Sequence, residues 1–80
     1  MNRTDKLQQL QDIFRDIFED DSIVLTEETT AADVEAWDSL MHLTLTAAVE
    51  DAFGIRFTTD EIISMKNVGD FVTAIERKTT

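Results

Sequence analysis

The sequence has no cysteine and no proline, and its only glycines are Gly54 and Gly69. Without cysteine there is neither a disulfide framework nor a thiolate metal site. Nothing signals an oxidising compartment, so the expected address is cytoplasmic. His42 is the single histidine, which leaves zinc without a ligand set. Missing proline and scarce glycine remove the strongest helix breakers and favour helices throughout. No apolar run approaches the roughly 20 residues needed to span a bilayer. The opening MNRTDKLQQL lacks the apolar stretch of a signal peptide. Bases are also few: seven Lys/Arg against seventeen Asp/Glu give a formal net charge of −10. So acidic a surface repels phosphate backbones and anionic lipid, which argues against nucleic acid or membrane as a partner and suits basic proteins.

What is present fits one small domain. Residues 1–80 contain no repeat, low-complexity tract or linker, and the aliphatic and aromatic content is too high for disorder. A chain this short supports one core worth on the order of 3–5 kcal/mol and has little room for an enclosed active site. A monomer is expected.

Leu7, Leu10, Phe14, Ile17 and Phe18 recur as one face of an amphipathic helix over about 4–19, with Thr4 as N-cap. Residues 20–36 read as a long loop in which Ile23, Val24 and Leu25 turn inward. A connection that long inside a small domain is often functional. Asp38 caps a second helix that runs to about Phe53, and Gly54 takes the left-handed position after it. Thr58-Thr59-Asp60-Glu61 fits a capping box opening a short third helix through Met65. Asn67 caps a fourth, on which Val68, Phe71, Val72 and Ile75 fall at helical spacing, with Arg77 and Lys78 in its last turn. The expected fold is all-α: a small antiparallel four-helix bundle with a long loop between the first two helices and a short third.

The second helix has two apolar stripes. Met41, Leu45, Ala48, Val49 and Ala52, with Phe53 at the edge, form the expected core face. Leu40, Leu43 and Ala47 form the other, bordered by Ser39 and Glu50 on one flank and by Thr44 and Asp51 on the other. An apolar stripe with an acidic rim is a docking surface; the competing reading buries both stripes. Ser39 follows the cap directly, where free backbone N–H groups and the helix dipole stabilise a phosphate on its oxygen. Taken alone, a serine there usually marks no more than a helix start.

Other chemistries fit less well. Ser39 and His42 are i, i+3 neighbours, as in a hydrolase, but nucleophilic catalysis also needs a third orienting group and a walled pocket. Glu19-Asp20-Asp21 and Asp33-Val34-Glu35 do not continue as calcium loops, which want alternate ligands and a central glycine. An acidic helical adaptor that docks a basic partner without a prosthetic group fits composition and periodicity equally well.

Trp37-Asp38-Ser39-Leu40, followed by Ala48-Val49-Glu50-Asp51-Ala52-Phe53-Gly54-Ile55, resembles the signature of acyl carrier proteins. The resemblance extends over the leading helix, the long loop, Thr58–Glu61 and Asn67-Val68-Gly69-Asp70, which is essentially the whole chain. It implies a non-enzymatic carrier in which Ser39 bears 4′-phosphopantetheine, added from coenzyme A by a phosphopantetheinyl transferase. Asp38 is then the neighbouring motif residue and a transferase contact. Leu40, Leu43, Thr44, Ala47, Glu50 and Asp51 would dock the transferase and the acyl-loading or acyl-processing enzymes. His42, Thr46, Val49 and Ile62 would line an acyl pocket between the second and third helices, with His42 and Thr46 at its mouth and a short or polar cargo. Met41 and Thr44 replace the acids that fatty-acid-type carriers usually hold after the serine. With Trp37 and His42, this is more similar to discrete carriers of polyketide, nonribosomal-peptide-like or saccharide and lipid modification systems.

Overall fold

In the computed structural model, which describes residues 2–79, the chain forms α1 (Arg3–Phe18), α2 (Ser39–Phe53), α3 (Thr59–Ser64) and α4 (Val68–Thr79). The described residues contain no strand, and none of their helices is long and apolar enough to cross a membrane. α1 packs against both α2 and α4. Leu10 and Phe14 of α1, Leu45 and Val49 of α2, and Val68, Phe71, Val72 and Ile75 of α4 are fully buried. Phe14 meets Trp37 and Phe71 edge-on, at ring-centroid distances of 5.2 and 6.2 Å, so aromatic contacts knit the loop and α4 into the core.

Local chemistry sets the helix ends. Asp38 accepts the Met41 N–H at 2.9 Å, and Gly54, at φ 65°, closes α2 in the left-handed conformation. Thr58 and Glu61 form the reciprocal capping box, and Asn67 Oδ1 accepts the Asp70 N–H at 2.8 Å. The start of α1 differs from expectation. Asn2 rather than Thr4 is its cap, because Asn2 Oδ1 takes the Asp5 N–H at 2.9 Å and begins the helix a residue or two earlier. Glu19, at φ 51°, ends it without a glycine.

The loop between α1 and α2 is held at both ends and in the middle. Arg15 Nε donates to Ile23 O at 2.7 Å, and Gln11 accepts the Leu25 N–H. Glu27 O and Thr29 O accept the N–H groups of Gly69 and Val68, each at 2.8 Å, so the loop itself satisfies the free first turn of α4. Glycine at 69 permits this approach: a Cβ there would lie 2.9 Å from Glu27 O. Arg3 hydrogen-bonds Glu27, Glu76 and Thr73, joining α1, loop and α4. The Arg3 hydrogen bond holds the Glu27 carboxyl below its ordinary pKa. Backbone and Lys78 hydrogen bonds do the same for Glu61, where α4 meets α3.

Two inward assignments are corrected. Val24 is 71% exposed, since Ile23 and Leu25 already turn toward the core from either side of it. Ala52, expected on the core face of α2, is exposed, while Met41 and Ala48 are only half-buried. The core stripe of α2 is therefore narrower, centred on Leu45 and Val49, and widened by the buried Thr46.

Candidate functional site

Ser39 is the first residue of α2 and is exposed. Asp38 takes the Met41 N–H with its side chain and the His42 N–H with its carbonyl, at 2.9 and 2.8 Å. The N–H groups of Ser39 and Leu40 have no intrahelical acceptor at this position, and the positive end of the helix dipole lies with them. Beyond the capping carboxylate of Asp38, no residue of the first turn of α2 is acidic. The chain has three serines. Ser22 Oγ donates to Asp20 and Ser64 Oγ donates to Glu61 O, whereas Ser39 Oγ bonds to no described residue. This is a surface hydroxyl, free to react, in a setting that tolerates negative charge.

An open groove of about 610 Å³ begins at Ser39. Asp38, His42 and Leu43 form its α2 side, Ile62, Ile63, Met65 and Lys66 its α3 side, and Ala31 and Trp37 complete it from the loop. Trp37 is 5% exposed; its Nε1–H donates to His42 Nδ1 at 3.1 Å. His42 Nε2 bonds Ile62 O at 2.8 Å. Both imidazole nitrogens are thus occupied away from Ser39, so His42 is not set as a base for that hydroxyl.

The residues predicted from the sequence fall into distinct places. Leu40 and Leu43 are 72% and 55% exposed, and Ala47, Thr44 and Asp51 are exposed with them, so the second stripe of α2 faces solvent rather than the core. Glu50 is half-buried and its carboxylate accepts the Phe57 N–H at 2.8 Å, fastening the connection after α2. Of the four residues assigned to the acyl pocket, His42 and Ile62 line the groove. Thr46 and Val49 do not; they are buried in the body of the protein, and Thr46 Oγ1 donates to Leu43 O within its own helix. Ile63, 71% exposed, together with Met65 and Lys66, was missed. The sequence places them after the capping box of α3 but does not tell which way so short a helix turns.

The acidic clusters of the loop have internal duties. Asp20 accepts the Oγ–H and N–H of Ser22, which hold its carboxyl below the ordinary value. Asp33 accepts the Thr30 N–H.

The family described as "phosphopantetheine attachment site" matches residues 8–75. No curated protein matches the chain. Among the solved structures that do is the solution NMR structure of a holo acyl carrier protein from Geobacter metallireducens. It is 47% identical, with a TM-score of 0.85, over 90% of this chain and 83% of that one. The chain belongs to the acyl carrier protein family, and its function is that of a carrier bearing a 4′-phosphopantetheine arm.

Proposed function

We propose that Ser39 carries the arm and that the chain, residues 1–80 acting as one cytoplasmic domain, presents thioester-bound groups to partner enzymes without catalysing a reaction itself. The carrying observation is the hydroxyl of Ser39: exposed, uncommitted among the described residues, and set at the N-terminus of α2 within a matching attachment-site family. In loading, Ser39 Oγ attacks the diphosphate phosphorus of coenzyme A nearest the pantetheine. A serine phosphodiester forms, the P–O bond to adenosine 3′,5′-bisphosphate breaks, and the hydroxyl proton passes to a base of the transferase. The first-turn N–H groups stabilise the negative phosphodiester, and Asp38 fixes the turn that presents Ser39. Lys66, on the same groove, adds a positive charge nearby. When bound, the prosthetic group supplies a terminal thiol for thioester formation, so a chain without cysteine still carries acyl groups.

The exposed Leu40, Leu43 and Ala47, with Thr44 and the acids Asp51 and Glu50, supply a docking face beside the attachment point. Its chemistry suits a basic partner with an apolar contact, the transferase first and acyl-loading or acyl-processing enzymes after it. Docking driven by charge is fast and reversible, as a carrier that must leave each partner requires. The absence of a free imidazole beside Ser39 supports a non-enzymatic role.

The test is intact-protein mass spectrometry after incubation with coenzyme A and a phosphopantetheinyl transferase. The wild-type chain is expected to gain one phosphopantetheine and Ser39→Ala none. A gain that survives Ser39→Ala contradicts the assignment.

A further inference from the structure

The groove beside Ser39 is lined by a histidine with both ring nitrogens taken. Trp37 Nε1 is a donor only, so His42 Nδ1 accepts and Nε2 carries the proton given to Ile62 O. The imidazole lies 19° from the Trp37 plane at a centroid distance of 6.0 Å and meets Phe71 edge-on at 5.5 Å. His42 stands on α2 and Ile62 near the end of α3, so this one side chain ties the two helices together across the groove. α3 has few other anchors: none of its residues is fully buried, and the Glu61–Lys78 ion pair holds the residue next to Ile62. One and two turns further along α2, Thr46 and Val49 are buried and contribute nothing to the groove.

We propose that His42 is the specificity-determining residue of this carrier, a latch between α2 and α3 that keeps tethered groups out of the core. The inference rests on attachment at Ser39. A short acyl group can lie against Leu43, Ile62 and Ile63 without disturbing anything. A long alkyl chain has to displace the imidazole to go deeper. That leaves the buried Trp37 N–H and the Ile62 carbonyl facing hydrocarbon, which offers them no hydrogen bond. The cargo class is therefore short acyl groups; long chains remain in solvent or on the partner enzyme.

The experiment loads acetyl and dodecanoyl phosphopantetheine from the corresponding acyl-coenzyme A, confirms loading by intact mass, and then follows thioester cleavage by hydroxylamine. In the wild type the two thioesters are expected to be cleaved at the same rate. In His42→Ala the dodecanoyl form is expected to be protected about tenfold, the equivalent of one to two lost hydrogen bonds. His42→Gln, which keeps a donor toward Ile62, should resemble the wild type. If His42→Ala does not fold, judged by amide dispersion in its NMR spectrum, His42→Leu takes its place, filling the space without a hydrogen bond. Protection of the dodecanoyl form in the wild type, or in none of the variants, overturns the latch. Failure to load overturns the attachment reading itself, and the first mass spectrum reveals it before any rate is measured.

Discussion

Replacing Gly69 with alanine tests whether the long loop is clamped to α4 as the structure describes. The added Cβ would sit 2.9 Å from Glu27 O and 3.2 Å from Asn67 Oδ1. The first neighbour is backbone and cannot swing away, so the loop must retreat. Retreat strains two 2.8 Å hydrogen bonds, Gly69 N–H to Glu27 O and Val68 N–H to Thr29 O. Overpacking of this kind costs about 1–3 kcal/mol. Against it, alanine in a helix gains up to about 1 kcal/mol over glycine. The expected net loss is about 1–2 kcal/mol, a sizeable part of the stability of so small a domain. At about 4–8 °C per kcal/mol, the melting temperature should fall by about 5–15 °C. Gly54→Ala is the matched control: φ is 65° there but no atom lies within 4 Å, so its cost is backbone strain alone, about 1–2 kcal/mol. Thermal and urea unfolding followed by circular dichroism measure both variants, and amide exchange separates them. The Val68 amide should lose protection in its native state in Gly69→Ala and keep it in Gly54→Ala. Unchanged stability in Gly69→Ala, with a protected Val68 amide, would refute the clamp.

Three further outcomes follow from the same geometry. Asp38→Ala removes the acceptor of the Met41 N–H and should cost about 1 kcal/mol, read as a lower urea midpoint with an unchanged slope. Leu43→Asp, at a position 55% exposed, should leave stability within about 0.5 kcal/mol of wild type. It should nevertheless lower kcat/KM for transferase loading about tenfold, and added salt should slow wild-type loading, because the proposed docking face is apolar at its centre and acidic at its rim. Glu27→Gln addresses pH. The Arg3 hydrogen bond holds the Glu27 carboxyl below the ordinary value of 4.5, so its contribution is present above that value and is lost as pH falls through the folded-state pKa. The stability gap between wild type and Glu27→Gln, measured by urea titration, should be constant near neutrality and close below about pH 4.5. A gap that does not narrow at all as pH falls below 4.5 would contradict the ion pair.

The parts of this structure readable from the sequence are those whose causes are local. Asp38, Gly54, Thr58 with Glu61, and Asn67 each act within four residues, and each stands where capping chemistry predicts. The helix-spaced apolar residues of α4 are buried for the same reason. Asn2 and Thr4 are both capping types two residues apart, and only the bond to Asp5 decides between them. Errors begin where tertiary geometry takes over. Ala52 shares a helix face with Leu45 and Val49, but a small side chain at the end of α2 finds nothing to pack against. Val24 follows its apolar neighbours in sequence and points the other way. At the site, the motif points to Ser39, and helical spacing picked out the stripe of α2 that faces solvent. Thr46 and Val49 were assigned to the acyl pocket through the resemblance, and they stand behind the groove in the core rather than on its wall. The Trp37–His42–Ile62 chain joins residues up to 25 positions apart, and no local pattern announces it.

The central claim is that the arm sits on Ser39, and it is tested most directly by fragmenting the loaded chain in a tandem mass spectrometer. The chain offers Ser22, Ser39 and Ser64 as candidate hydroxyls of the same type. The account predicts fragment ions that place the phosphopantetheine on Ser39 alone, with Ser22 and Ser64 unmodified. Its localisation to either of those serines, or modification shared among them, would contradict it.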